Sequence, residues 1–511
     1  MQILGRKAGI AHTLVIAGVS AGMGLSALVY FYLLLPMWGY PFTMAQQKAA
    51  RTPITPPWAL ECWLWEDDHN TAEYTMELLE GYRKQDFPVR TILIDSPWST
   101  RYNDFIVDEN LYPNPAAFFG KLEDQGIRVV LWMTSIVNKE NPDTAIKDAS
   151  DWFEDAKAKG YLCGDGTLVK WWKGNGGYID YTNPEAMKWW RGLQQQVFDW
   201  GIDGWKLDGA ATLFRSSIGP IPALFMNVHD GMMTTRQYMN AYYREEYHHG
   251  LTQNPEFICL SRAIDRPYTH PEGFAPKDAS AVNWVGDNSH AWLEKDEGIE
   301  EALTDILHSA RLGYCVVGSD IAGYQGGGTI PPAVYIRWAQ FSAFCGLFLN
   351  GGHGERAMWK RTQQELEIIR EYSWLHTELV PYMYSHVVYC HEGGQPLMRP
   401  LDAKYHYLFG DDFLVAPIFE DSLTREVSLP EGRWRYLFDE TDVIDGPKTF
   451  TRDYPMDEFP AYVRDGAVIP LNVSRDYTGF GSRDSEGYVT WAIYPEGKNS
   501  FTLHNTDLSG T

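Results

Sequence analysis

In this 511-residue chain, short apolar runs end repeatedly in charged side chains. Asp95 and Asp208 close two such runs and Arg262 a third, while Asp287 and Asp320 follow two more. A single aspartate in such a place is ordinarily a helix cap or a turn residue. Four of them beside Trp65, Trp98, Trp172, Trp205 and Trp284 point instead to a site. A carboxylate rim without histidine or thiolate ligands suits either a divalent cation or glycosyl transfer. Magnesium usually goes with substrate phosphates, and no phosphate-cradling glycine loop follows the first run. Glycoside cleavage needs two carboxyls flanking the scissile bond, one ionised and one protonated. Flat aromatic walls would stack on a sugar ring, and further carboxylates would accept from its hydroxyls. No metal set is expected, since the six cysteines are far apart and show no CxxC or Cys/His ligand spacing. Four of the six lie in apolar runs, as buried free thiols do.

The elements that must position these residues alternate regularly. Apolar runs at 60–65, 90–95, 128–133, 204–208, 257–262, 281–286, 314–318 and 346–350 read as buried parallel strands. Amphipathic helices lie between them. Asn70 with Glu73 predicts one capping box, and Asn183-Pro184 predicts a cap followed by a first-turn proline. Eight units predict an α/β fold, a (β/α)8 TIM barrel over 51–390, whose chemistry belongs at the C-terminal strand ends. A doubly wound open sheet is the competitor. From 391 to 476 short strands (413–418, 426–429, 434–438, 461–464, 467–471) predict a small antiparallel β-sandwich domain, and 477–511 the start of a further, truncated β unit.

Charge excludes one class of partner. With 43 Lys+Arg against 67 Asp+Glu the net charge is -24, which argues against a nucleic-acid partner. Aromatic residues make up 14% of the chain, enough for a large core, a sugar-binding surface or both. No Asp, Glu, Lys or Arg occurs between Ala8 and Gln47, and 13–38 is almost wholly apolar. That length predicts an N-terminal hydrophobic helix crossing the membrane once as a signal-anchor, with a lumenal or extracellular catalytic body. Secretion after signal cleavage is the alternative. The sequon Asn472-Val473-Ser474 is compatible with either.

Several segments resemble, in order, the motifs of glycoside hydrolase family 31, the retaining α-glycosidases that include α-glucosidases, α-xylosidases and α-galactosidases. Pro56-Pro57-Trp58-Ala59-Leu60 is similar to the family's barrel entry, and Ile94-Asp95 with Asn114-Pro115 to its second strand and downstream turn. Trp172-Lys173-Gly174 and Asp180-Tyr181-Thr182-Asn183-Pro184 resemble its WPG and DFTNP signatures. Gly204-Trp205-Lys206-Leu207-Asp208 is similar to the nucleophile strand, Ser261-Arg262 to the substrate-binding arginine, and Trp284-Val285-Gly286-Asp287-Asn288 to the acid/base motif. Gly318-Ser319-Asp320-Ile321-Ala322-Gly323-Tyr324 and His353-Gly354 with Arg356 and Trp359 resemble two later loops.

The resemblance implies Asp208 as nucleophile and Asp287 as general acid/base. It implies a substrate-binding set of Asp95, Trp172, Lys206, Arg262, Trp284, Asp320 and His353, and no cofactor. Lys206 points to the same side as Asp208, two residues on. It is either a hydroxyl ligand, a charge keeping Asp208 ionised, or a structural partner of Asp180 or another carboxylate. Three features depart from the family. Only the hydrophobic segment stands before residue 51, where a β-sandwich usually lies. Gly209-Ala210-Ala211-Thr212 lacks the glutamate that often follows the nucleophile, so a second hydroxyl acceptor must come from elsewhere or be missing. Finally, Ser96-Pro97-Trp98 after Asp95 and the lysine at 206 lean toward xylosides or galactosides. The expected function is hydrolysis of terminal α-linked sugars. The alternatives are a catalytically silent carbohydrate-binding or glycoprotein-handling membrane protein, an incomplete gene model, and transglycosylase or lyase chemistry on the same acids.

Overall fold

A computed structural model describes residues 18–27, 29, 50–209, 225–265, 273–473 and 489–506. Eight parallel strands form the central sheet. They begin with β1 (Cys62–Leu64), β2 (Val89–Ile94) and β3 (Arg128–Met133). An excursion through β4 (Ile136–Glu140), β5 (Val169–Trp171) and β6 (Gly174–Tyr178) precedes β7 (Gly204–Leu207). A hairpin of β8 (Phe225–Val228) and β9 (Gly231–Thr234) then leads to β10 (Ile258–Arg262), β11 (Val282–Trp284), β12 (Val317–Gly318) and β13 (Phe348–Asn350). Their order around the sheet is β12-β11-β10-β7-β3-β2-β1-β13. The last gap is spanned by a parallel bridge from Asp320 to Leu349, so the barrel is nearly closed. All eight predicted barrel strands are present, because strands buried on both faces leave unbroken apolar runs.

Helices cover the outside of this barrel. They are α1 (Ala72–Lys84), α2 (Pro115–Asp124), α3 (Ser150–Ala158), α4 (Pro184–Asp199), α5 (Thr235–Gln253), α6 (Ile299–Arg311), α7 (Pro332–Ser342), α8 (Gln363–Glu378) and α9 (Val380–His391). Asn183 caps α4 as expected, accepting from the amides of Glu185 and Ala186. The start of α1 differs from expectation: Thr71, not Asn70, is its cap and accepts from the Tyr74 amide. Asn70 instead donates to the Asp95 carbonyl, tying the loop after β1 to the end of β2. Between β10 and β11 the described residues hold only a short 3-10 turn, Lys277–Ala279, where a helix was expected.

The second domain is antiparallel, as predicted. Its six-stranded sheet joins β14 (Met398–Pro400), β15 (Tyr407–Phe409), β16 (Phe413–Val415), β17 (Thr424–Tyr436), β18 (Asp439–Asp453) and β19 (Ala461–Arg464). From the terminal stretch, β21 (Thr490–Ile493) pairs with β20 (Val468–Leu471). Arg337, fully buried on α7, donates to the carbonyls of Tyr454, Pro455 and Glu458 and so fastens the two domains. All six cysteines are free and buried.

Most of the expected membrane helix at 13–38 lies outside the described residues, as does Ser474 of the sequon. Residues 18–27 and 29 are helical, but no helix among the described residues is long and apolar enough to cross a membrane.

Candidate functional site

Sheet order brings the charged strand ends together. Because β3, β7, β10 and β11 are consecutive neighbours, Trp132, Asp208, Arg262 and Asp287 sit side by side at the C-terminal rim. They line a cavity of about 510 Å³ with Asp67, Asp95, Ser96, Trp172, Lys206 and Tyr324.

Arg262 is the pivot. Its Nε lies 3.5 Å from Asp208 Oδ1 and its Nη2 3.0 Å from Asp287 Oδ1, so one guanidinium spans both acids. The ring of Trp284 lies beneath it, 4.7 Å from the guanidinium carbon. Gly286 makes this approach possible. Its φ is +119°, and a Cβ there would stand 2.7 Å from Arg262 Nη1.

Asp208 is held as a carboxylate. Burial opposes its charge, yet Arg262, Lys206 and the Gly209 amide outweigh that and hold it below its ordinary pKa. The Gly209 amide donates to Asp208 Oδ1 at 2.9 Å, and Trp132 Nε1 lies 3.4 Å from Oδ2. Asp287 sits higher in the cavity, its side chain 41% exposed. One acid is deep and fixed. The other is at the rim and open to solvent.

Lys206 resolves the choice left by its sequence position. Its Nζ pairs with Asp95 Oδ2 at 2.7 Å, both groups buried, and Asp180 is not its partner. Asp180 accepts instead from Thr182 and the His229 amide. Burial would lower the Lys206 pKa, but Asp95, Asp320 and Asp208 more than offset it, so the ammonium stays charged. Trp65 and Trp284 flank it at 4.3 and 5.2 Å, which adds cation–π attraction. Asp95 Oδ1 accepts from the Ser96 amide, so both its oxygens are engaged.

The remaining expected residues are placed differently. Trp172 is half-exposed at the mouth of the cavity, edge-on to Trp171, which stacks on Trp132. Trp284 is fully buried, a floor under Arg262 and Lys206 and not an open wall. Asp320 is 1% exposed, accepts from Trp65 Nε1 at 3.1 Å and does not line the cavity. His353 stands one layer back, between Asp68 (2.7 Å) and Asp67 (3.4 Å). Sequence reasoning missed Asp67, Trp132, Asp265 and Tyr324. Asp67 lies in the acidic turn Glu66-Asp67-Asp68 just past β1, so the strand-end rule extended to the first strand reaches that turn without selecting its member. Among the described residues no cluster of three or more His, Cys, Asp or Glu is arranged to hold a metal ion.

Asp320 yields a stability prediction. Burial lifts its carboxyl to about 7, with Lys206 opposing and Asp287 adding. Between about pH 4 and that value the folded chain keeps a proton that the unfolded chain releases. The stabilisation present at low pH is therefore lost as pH rises through about 7. Asp320→Asn has no such titration. Its melting temperature relative to the natural chain should climb by ~2–4 °C between pH 5 and pH 8, and a gap constant with pH refutes the assignment.

Comparison with known proteins agrees with this architecture. Residues 52–386 match the profile of the glycosyl hydrolases family 31 TIM-barrel domain, and 394–469 that of the family's C-terminal domain. An alpha-xylosidase of Emericella nidulans is 27% identical over 446 residues, 82% of this chain and 54% of the relative. Alpha-glucosidase 2 of Bacillus thermoamyloliquefaciens is 24% identical over 89% of this chain and 60% of the relative. The chain thus spans a little over half the length of these relatives. In fold it is similar to a Flavobacterium johnsoniae dextranase solved with glucose, with a TM-score of 0.76 and 24% identity, covering 89% of this chain and 58% of that one.

Proposed function

This chain belongs to glycosyl hydrolase family 31, and on that premise we propose that it is a retaining α-glycosidase acting on terminal α-linked sugars. The observation that carries the reading is the single guanidinium of Arg262 reaching Asp208 and Asp287 within one sugar-sized cavity. In the first step Asp208 attacks the anomeric carbon from the β face. The bond to the aglycone breaks, and Asp287 gives its proton to the departing oxygen. In the second step Asp287 takes a proton from water, whose oxygen displaces Asp208 and restores the α configuration. The fixed carboxylate form of Asp208 suits the nucleophile, and the rim position of Asp287 suits a group that meets both aglycone and water.

Asp95 and Lys206 form the inner wall of the glycone site, and Trp172 at the mouth is placed to stack on the aglycone. Trp284 and His353 act at one remove, through Arg262 and Asp67. No cofactor takes part in these steps. The relatives' names support two glycones, xylose and glucose, and the ion-paired Lys206 favours the former or a galactoside. The uncharged stretch from Ala8 to Gln47 supports a catalytic body beyond a membrane, tethered or released.

The test is a screen of 4-nitrophenyl α-D-xyloside, α-D-galactoside and α-D-glucoside, with the product anomer followed by NMR. Turnover with an α-configured first product is expected. An inverted product removes the mechanism. Sugar binding without turnover of any member replaces the enzyme with a carbohydrate-binding protein. Release of longer oligosaccharides at high substrate marks transfer in place of hydrolysis.

A further inference from the structure

We infer that Asp67, the carboxylate just beyond the first barrel strand, is the second hydroxyl acceptor of the glycone site and restricts it to neutral sugars; this rests on the glycosidase reading. The glutamate that often follows the nucleophile is absent here, as Gly209 and Ala210 show. Asp95 already accepts from Lys206 on one oxygen and from the Ser96 amide on the other, which leaves one lone pair on each for substrate.

Asp67 is built as an acceptor. Its Oδ2 takes a hydrogen bond from the Tyr324 hydroxyl at 2.7 Å and lies 3.4 Å from His353 Nε2. Its Oδ1 has no hydrogen-bond partner among the described residues, though the side chain is only 11% exposed and faces the cavity. That oxygen is not sealed in the interior, so a donor can reach its lone pairs from the cavity. A sugar hydroxyl in the cavity would do so.

The groups behind Asp67 hold it still. Tyr324 stacks on Trp65 with ring centroids 5.6 Å apart and lies 4.8 Å from the His353 ring. His353 is anchored in turn by Asp68 at 2.7 Å. His353 and Tyr324 are therefore positioning residues for Asp67. Burial and the nearby Asp95 raise the Asp67 carboxyl to about 6, which still leaves it an ionised acceptor at neutral pH. Lys206 is paired with Asp95, and Arg262 lies among Asp208, Asp265 and Asp287, so the carboxylates of the cavity outnumber its cations and a uronic acid would meet net repulsion.

The experiment pairs Asp67→Ala with monodeoxy 4-nitrophenyl α-glycosides lacking one hydroxyl each at C3, C4 or, for a hexoside, C6. In the natural chain, removing the hydroxyl that Asp67 holds should lower kcat/KM by ~10–100-fold, the usual loss for a hydrogen bond to a charged group. In Asp67→Ala the parent glycoside should fall by a similar factor, and that same deoxy analogue should show almost no further loss. Tyr324→Phe should reproduce the position-selective pattern at a few-fold scale. An equal Asp67→Ala penalty for every analogue, with unchanged melting, overturns the assignment, as does an α-glucuronide turned over as fast as the neutral glycosides. Should the natural chain turn over no α-glycoside, the glycosidase reading fails by itself, and Asp67 is judged by calorimetric binding of xylose, glucose and galactose. Loss of binding in Asp67→Ala then supports its role; equal binding, or none to either protein, overturns it.

Discussion

Asp208→Ala should lower kcat by ~10^3-fold or more on every α-glycoside the natural chain accepts, about 4 kcal/mol of transition-state stabilisation. The size follows from what the side chain does. In the proposed mechanism it forms the covalent bond that divides one difficult displacement into two easier ones, and the described side chains beside it are not placed to replace it. Arg262 is a cation, the Trp132 ring lacks a nucleophilic lone pair, and Asp95 is engaged on both oxygens. Folding should survive better than activity. Although the change removes a carboxylate beside Arg262, that arginine keeps Asp287 at 3.0 Å and Asp265 at 3.9 Å. Added azide provides a signature that loss of structure cannot mimic. It can enter the space vacated by the carboxylate, attack from the same face, and give the β-glycosyl azide. A variant retaining near-full activity, or a folded variant that azide cannot restart, removes Asp208 from the role.

How much of this was legible beforehand depends on burial. The eight barrel strands are flanked by apolar layers on both sides, so each left a run of Val, Ile, Leu and Trp that periodicity detects. The same logic failed where a strand faces water. β18 is mostly exposed, reads Thr-Asp-Val-Ile-Asp-Gly-Pro-Lys-Thr, and gave no alternation to find. β17 was split in two at Pro430-Glu431-Gly432, a turn signal that proves to be a bulge, with register shifting between Leu429 and Gly432. The three-stranded excursion holding Trp172 was missed because β6 is mainly glycine and asparagine.

The site was legible where chemistry coincides with a strand end. Asp95, Asp208, Arg262 and Asp287 line the cavity for that reason. Depth was not legible. Nothing in Gly-Ser-Asp-Ile-Ala-Gly-Tyr distinguishes Asp320, packed behind Trp65, from Tyr324, which reaches the cavity. Asp67 was hidden among Glu66, Asp67 and Asp68, an acidic turn in which three-dimensional packing alone selects the member that turns inward. The choice among partners for Lys206 was also one of packing, since Asp95 lies 111 positions away.

The second large effect belongs to Asp287, and its form is more telling than its size. Asp287→Ala should slow cleavage of glycosides with poor leaving groups, such as alkyl aglycones or a second sugar, by ~10^2–10^4-fold. A 2,4-dinitrophenyl aglycone departs without a proton, so its first step should be slowed far less. The second step still lacks its base, and the glycosyl–Asp208 ester should then accumulate and appear as a burst of released phenol. Azide needs no general base, and it would reach that ester from the face opposite Asp208. The product should therefore be the α-glycosyl azide, the opposite anomer to the one expected from Asp208→Ala. Stability should change little, because the side chain is 41% exposed and Arg262 keeps its contacts to Asp208 and Asp265. Two carboxylates of one mechanism must yield opposite anomers from one nucleophile. A variant slowed equally on all leaving groups, or one giving the β-azide, shows instead that Asp287 merely shapes the pocket.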